Sequence, residues 1–276
     1  MGCRMKQNHC GTLFFVLQEM FSGLSQKGQK MRKRDRYEED SDFETRKERR
    51  RKLRRRRRRR NVMMFILAVL TVLTGFFVVN KIKESLEEKR LLKERNDSFV
   101  GAPPFEVDLL DVNEYSRPGT PLEEIKGIVI HYTANPGTTA KNNRDYFQGL
   151  KDSHETKVSS HFVVGYDGEI VQCVPSTEIA YASNSRNEDT LSIECCHLDE
   201  TGKFTEATYI SLVRLTGWLC WRFNLTEEDV IRHYDVTGKI CPKYYVENQD
   251  AWEQFKADVK VQIQKVDEEV KASKGE

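Results

Sequence analysis

In the stretch HYDVTGKICP, His233 to Pro242, a histidine stands eight residues before a cysteine and a lysine two before it. Imidazole and thiolate are both zinc donors, and catalysis would explain the lysine. Two donors do not complete a site. His131, at the end of the run GIVIHYT, is the natural third, because a β-strand delivers its last side chains into a loop-walled cleft. Two imidazoles and one thiolate leave the fourth tetrahedral position of Zn2+ open for water, as in catalytic rather than closed structural sites. Composition does not select these three by itself, since His9, His154, His161 and His197 are further donors. Of those, His161, ahead of Phe-Val-Val, reads as a core residue.

A water made nucleophilic by such a metal also needs a base. TLSIECC, Thr190 to Cys196, carries Glu194 between Ile193 and Cys195. An unpaired carboxylate in so apolar a strand is costly unless it has a task, which sets the base role against that of a solvated strand charge. Lys239 has the alternative of an ordinary surface lysine. Tyr181, in EIAYASNSRNEDT, and Asn143, in AKNNRDYFQGLK, are expected to line a substrate groove, with loop and helix-capping roles as the alternatives.

These residues need elements to hold them. GIVIHYT, Gly127 to Thr133, has the β-branched composition of a buried strand and is followed by a polar loop and the helical segment AKNNRDYFQGLK. HFVVGYDGEIVQCVP, His161 to Pro175, reads as a hairpin turning at Tyr166-Asp167-Gly168. TLSIECC is another strand, Phe204 to Phe223 has apolar residues at helical spacing, and DVIRHYD returns to strand or loop. A last helix is expected over about Asn248 to Lys271, with Trp252, Phe255, Val259, Ile263 and Val266 near one face. Strands alternating with helices imply an α/β domain, a single mixed β-sheet flanked by helices, over residues 113–276.

The rest of the chain is of another kind. Residues 1–60 hold 21 Lys+Arg against 8 Asp+Glu, net +13, while residues 61–276 hold 24 against 35, net −11, so the formal +2 of the 276 residues describes neither part. Between them VMMFILAVLTVLTGFFVV, Val62 to Val79, is an apolar run of 18 residues, which just reaches spanning length. Seven arginines, Arg54 to Arg60, precede it directly, and such charge is retained on the cytoplasmic side. The expected organisation is a basic, disordered cytoplasmic region over 1–60, a single transmembrane signal anchor over 61–80, a charged helical stalk and linker over 81–112, and the outer domain. A cleaved signal peptide is the main rival, but NKIKESLEEKR follows the apolar run where a small-residue cleavage site should stand. The arginine run is expected to attract anionic lipid headgroups. MGCRMK does not fit myristoylation, since Lys6 stands where Ser or Thr is required, and MRKRDR, from Met31, offers an alternative start.

Of the seven cysteines, Cys3 and Cys10 lie before the apolar run and Cys173, Cys195, Cys196, Cys220 and Cys241 after it, without the spacing of a disulfide frame. Adjacent Cys195 and Cys196 on a strand would face opposite ways, so most of these thiols are expected to be buried apolar side chains, with Cys241 apart.

Taken together and in order, IVIHYTANPGT, SSHFVVGYDGEIVQCVP, TLSIECC and HYDVTGKICP resemble the zinc-dependent N-acetylmuramoyl-L-alanine amidases. That family includes phage lysozyme-type amidases and animal peptidoglycan recognition proteins, and the likeness to clostridial-type wall amidases is strongest through EYSRPGTPLEEIKGIVIHYTANPG. The resemblance implies Zn2+ on His131, His233 and Cys241, Glu194 as catalytic base, and Lys239 as oxyanion stabiliser. It implies peptidoglycan as substrate, cut between N-acetylmuramic acid and the L-alanine of the stem peptide. Some members have a tyrosine directly before the HF pair, where this chain has Ser160. A non-catalytic peptidoglycan-binding receptor is the alternative, although such proteins typically replace the cysteine that is retained here. Nucleic-acid binding would rest on residues 32–60 alone and leaves the acidic outer part unexplained, so no nucleic-acid partner is expected.

Overall fold

The computed structural model describes residues 11–275 and divides into two compact units, Met1–Lys83 and Glu84–Glu276. Cys3, Cys10 and the MGCRMK segment lie outside the described residues.

Helix α1 is assigned over Gly11–Asp97. The basic region expected to be disordered is therefore helical from Gly11 onward. Its composition explains this: Arg, Lys, Glu and Gln are good helix formers, no proline occurs between Gly11 and Asp97, and pairs such as Lys52–Glu48 at 2.8 Å recur one turn apart. Among the described residues this is the one helix long and apolar enough to cross a membrane, and none of its apolar window is buried.

In the second unit, the segment expected as stalk and linker divides. The last turns of α1 lie against the globular part, where the Arg95 guanidinium sits 5.3 Å from the Trp221 ring, Glu94 pairs with Lys274 at 2.7 Å, and Phe99 stacks on Trp218. Beyond them β1 (Glu106–Val107) joins the sheet edge and Leu110 is buried.

The sheet has six strands: β1, β2 (Gly127–Tyr132), β3 (Phe162–Val164), β4 (Ile170–Gln172), β5 (Thr190–Cys195) and β6 (Val230–Arg232), in the order β1-β4-β3-β5-β2-β6. Only the β3–β4 hairpin is antiparallel, so the sheet is mixed as expected. Gly168 turns the hairpin at φ +87°, a conformation that costs glycine nothing. The central strand β2 has Ile128, Val129 and Ile130 wholly buried, which is why it reads as a continuous apolar run.

Alternation divides these side chains between two cores. Ile128, Ile130, Phe162, Val164 and Ile193 face α3 (Glu206–Phe223) and α6 (Gln249–Lys274), with Trp218, Leu215, Phe255 and Val259. Val163, Val171 and Cys196 face α2 (Ala140–Ser153), through Ala140 and Phe147. The helix α6 buries Trp252, Phe255, Val259 and Val266 as the spacing predicts, while Ile263 is only partly buried. Strand β2 runs on to α2 on one face and β5 to α3 on the other, a switch that opens a crevice at the carboxyl ends of these parallel strands.

Candidate metal and catalytic site

At that crevice His131 is next to last on β2, β6 is followed directly by His233, the first residue of the short helix α4 (His233–Thr237), and Cys241 comes in from the loop after it. One donor atom from each of the three lies within 4.8 Å of the others, and this is the one such cluster among the described residues. All three are buried. The rings of His131 and His233 meet edge to face at 4.7 Å, and His131 Nδ1 is 3.9 Å from Cys241 Sγ.

The far side of each ring is held by neighbouring residues of one loop. His131 Nε2 pairs with Ser183 Oγ at 3.2 Å, and His233 Nε2 with Asn184 Oδ1 at 3.0 Å. Such outer partners fix ring orientation and tautomer and leave Nδ1 for a ligand. Asn187 anchors the loop in turn, its Oδ1 accepting from the backbone N–H groups of Ala182 and Ser183, and Asn184 takes a left-handed φ of +51°. Sequence reasoning passed over Ser183 and Asn184. The only signal was the turn-forming composition of ASNSRN, which does not tell a structural turn from one that holds ligands.

Arg232 secures the other side. Buried just before His233, its guanidinium forks onto Asp235, donates to Tyr245 O and Gln249 Oε1, and lies between the rings of Tyr234 and Trp252. A buried charge satisfied this completely ties α4 to α5 (Lys243–Glu247) and α6, and so fixes where His233 can point.

Electrostatics match the donor set. Burial, then the neighbouring His233, hold His131 well below the usual histidine range, and burial does the same less strongly to His233, so both rings are neutral donors. Burial pushes the Cys241 thiol up to about 12, with the Glu194 carboxyl adding to it, while the Tyr132 N–H and Lys239 pull the other way. A thiol of this kind becomes a thiolate only beside a cation. Two neutral imidazoles and one buried sulfur that converge within 4.8 Å suit zinc, so the residues present fit the metal that the resemblance implies.

Glu194 faces His131 across the β2–β5 ladder in direct register. It is partly exposed at the crevice, yet its Oε2 is buried with no protein hydrogen-bond partner. Desolvation raises its carboxyl to about 8, against which the Lys239 ammonium acts. Lys239 is itself exposed, and its charge is felt at His131, His233, Glu194 and Cys241 alike. Five of the seven sequence-predicted residues thus meet at one place.

The other two lie outside the cluster. Tyr181 stands two residues before Ser183, partly exposed, with Lys157 Nζ 5.8 Å from its ring and its N–H on Ser159 Oγ. The amide of Asn143 is taken up by Thr138 Oγ1, Thr139 O and Cys196 Sγ, which ties α2 to the loop after β2. Ser160 is buried and donates to Phe162 O and Ser192 O. His161 is a core residue as expected, bonded to Ser192 and to Glu178 O. Cys173, Cys195, Cys196, Cys220 and Cys241 are all free and buried.

A search among solved structures places the PlyL structure on this chain with a TM-score of 0.51 at 23% identity, covering 58% of this chain and 99% of that one. The fold is the Amidase_2 fold. Residues 121–244 match the family model described as N-acetylmuramoyl-L-alanine amidase. Among curated proteins the chain is 35% identical over 165 residues to N-acetylmuramoyl-L-alanine amidase CwlL of Bacillus licheniformis, covering 55% of this chain and 45% of that one. It is 32% identical over 180 residues to N-acetylmuramoyl-L-alanine amidase BlyA of Bacillus subtilis (strain 168), covering 58% and 47%. The chain spans about half the length of these curated relatives. All five clustered residues fall inside the matched segment.

Proposed function

We propose that this protein is a membrane-anchored peptidoglycan hydrolase that cuts the amide between N-acetylmuramic acid and the L-alanine of the stem peptide. The observation that carries the reading is the convergence of His131, His233 and Cys241 beside Glu194 in a domain whose sequence matches such amidases. His131, His233 and Cys241 would hold Zn2+, which when bound supplies a charge that polarises the carbonyl, acidifies a water and keeps Cys241 and Glu194 ionised.

Glu194 acts as the base. Its carboxylate takes a proton from the attacking water as oxygen bonds to the lactyl carbonyl carbon, then passes it to the alanine nitrogen as the C–N bond breaks. The products are a muramic carboxylate and a free alanine amino terminus. Lys239 adds positive charge facing the oxyanion of the tetrahedral intermediate. Tyr181, at the mouth of the loop that holds both histidines, borders the path of the substrate.

The apolar helix anchors the enzyme, with Arg54–Arg60 on the cytoplasmic side near anionic headgroups and the Amidase_2 domain outside, beside its polymer. Anchoring confines cleavage to wall close to the membrane.

The test uses the full chain in detergent micelles, with metal content determined and new alanine amino termini counted on muramoyl peptides. One zinc per chain and cleavage that disappears on chelation and returns with Zn2+ support the reading. Zinc without cleavage of any muramoyl peptide would make this a wall-binding protein instead.

A further inference from the structure

The β2 ladder continues one step past its last assigned residue, since the Thr133 N–H donates to Cys195 O at 3.1 Å. Side chains alternate along an extended chain, so Thr133 shares a face with His131, and Glu194 and Cys196 share that face from β5. Ala134 then turns the chain away at φ +51°. Two oxygens on this face, Thr133 Oγ1 and Glu194 Oε2, are shut off from solvent with no protein group bonded to them.

Four other hydroxyls near the crevice are engaged. Ser183 is on His131, Ser160 on Ser192 and Phe162 O, Ser192 on His161, and Thr138 on Asn143. Burying a hydroxyl without a partner is unfavourable, and native proteins keep few such groups. A hydroxyl and a carboxylate left unpaired together, one strand apart beside a hydrolytic cluster, have the donor and acceptor capacity that an amide nitrogen and its hydrogen require.

We infer that Thr133 is a further substrate-contacting residue of this site, its hydroxyl accepting the N–H of the scissile amide so that the departing nitrogen keeps its lone pair toward Glu194. The inference rests on the amidase reading. In the reaction the amide N–H stays bonded to nitrogen and hydrogen-bonded to Thr133 Oγ1, while the second proton comes from Glu194. The same hydroxyl therefore holds the free amine as it forms. The interaction strengthens as Glu194 protonates the nitrogen and its N–H groups become those of an ammonium, so its loss falls on kcat rather than on KM.

The test compares Thr133→Val and Thr133→Ser in the zinc-loaded full chain, with cleavage of a muramoyl dipeptide, zinc content and thermal midpoint all measured. Thr133→Val should lower kcat by about 10- to 100-fold with KM nearly unchanged, the scale of one hydrogen bond lost in the transition state. Thr133→Ser should recover most of it. Zinc content should not change, and the midpoint of Thr133→Val should equal or exceed the parent's, because no protein partner is lost. An unchanged kcat in Thr133→Val, or a lowered midpoint that accounts for the loss, overturns the inference and leaves the amidase reading intact. A parent that cuts no muramoyl peptide overturns both.

Discussion

His131 and Glu194 stand opposite each other on parallel strands, each next to last on its strand, β2 and β5, and point to the same face of the sheet. A donor and a base are thereby held on neighbouring backbones whose spacing the ladder fixes at about 4.8 Å. Neither side chain can move far without breaking the centre of the sheet. Helix α4 and the loop after it supply the other two donors, and Ser183 and Asn184 hold the rings.

Glu194→Gln keeps the shape and removes the base. Hydrolysis should fall by about 10²- to 10⁴-fold while zinc stays bound, as read by amino-terminus counting beside metal analysis. The metal-free protein gives a second readout. Burial raises the Glu194 carboxyl to about 8, so the folded state keeps its proton where the unfolded chain has lost it. That contribution is full below the ordinary carboxylate pKa and is lost as pH rises through about 8. Metal-free Glu194→Gln should accordingly gain stability relative to the parent as pH rises over that window. A constant difference would mean that Glu194 is not desolvated.

Ser183→Ala and Asn184→Ala leave the three donors in place and release the rings of His131 and His233. Zinc affinity should drop by about 10- to 100-fold in each, measured by competition with a chelator. Because each acts on a different ring, the double variant should lose more than either single one. Asn184→Gly, which keeps the left-handed backbone but not the amide, should behave like Asn184→Ala if the hydrogen bond is what matters.

Acid sensitivity should trace in part to a residue outside the site. His161 is buried against Ser192 and Glu178 O, and burial lowers its pKa to about 4. The unfolded chain takes up the proton near 6.5, so the stability is present above 6.5 and is lost as pH falls toward about 4. A difference of this size is worth on the order of 3 kcal/mol. His161→Gln should be less stable than the parent at neutral pH yet flatter over this window, as followed by denaturant melts at several pH values. Parallel curves would show that His161 titrates normally.

Topology is tested in intact cells. With the wall removed, external protease should digest the C-terminal domain, while a tag placed before Arg32 stays protected until the membrane is opened. Replacing Arg54–Arg60 with glutamines should weaken this orientation, since the charge bias on that side sets it. Equal protection of both ends would place the domain inside and sink the proposed access to the wall.

The sequence by itself determined the central strands and long helices of the domain, the apolar segment, the charge asymmetry and the five residues that meet at the site, but not the edge strand β1 or the short helices α4 and α5. Each rests on local information: the β-branched runs of Gly127–Tyr132, the helical spacing of Trp252, Phe255 and Val259, and four ordered motifs that carried the resemblance. Tertiary structure alone decided what holds those residues. Ser183 and Asn184 lie about fifty positions from the histidines they orient, and nothing near them in the chain marks that partnership. The left-handed backbone at Ala134 occurs at a residue type whose local propensity gives no warning. Asn143, legible as a groove residue, is drawn into a loop clamp because Cys196 arrives beside it from another strand. Thr133 reads as the end of a strand, and only burial shows that its hydroxyl is unspent. Spacing along the chain records which groups a strand or helix presents. Which of those groups are left without a partner depends on everything packed around them.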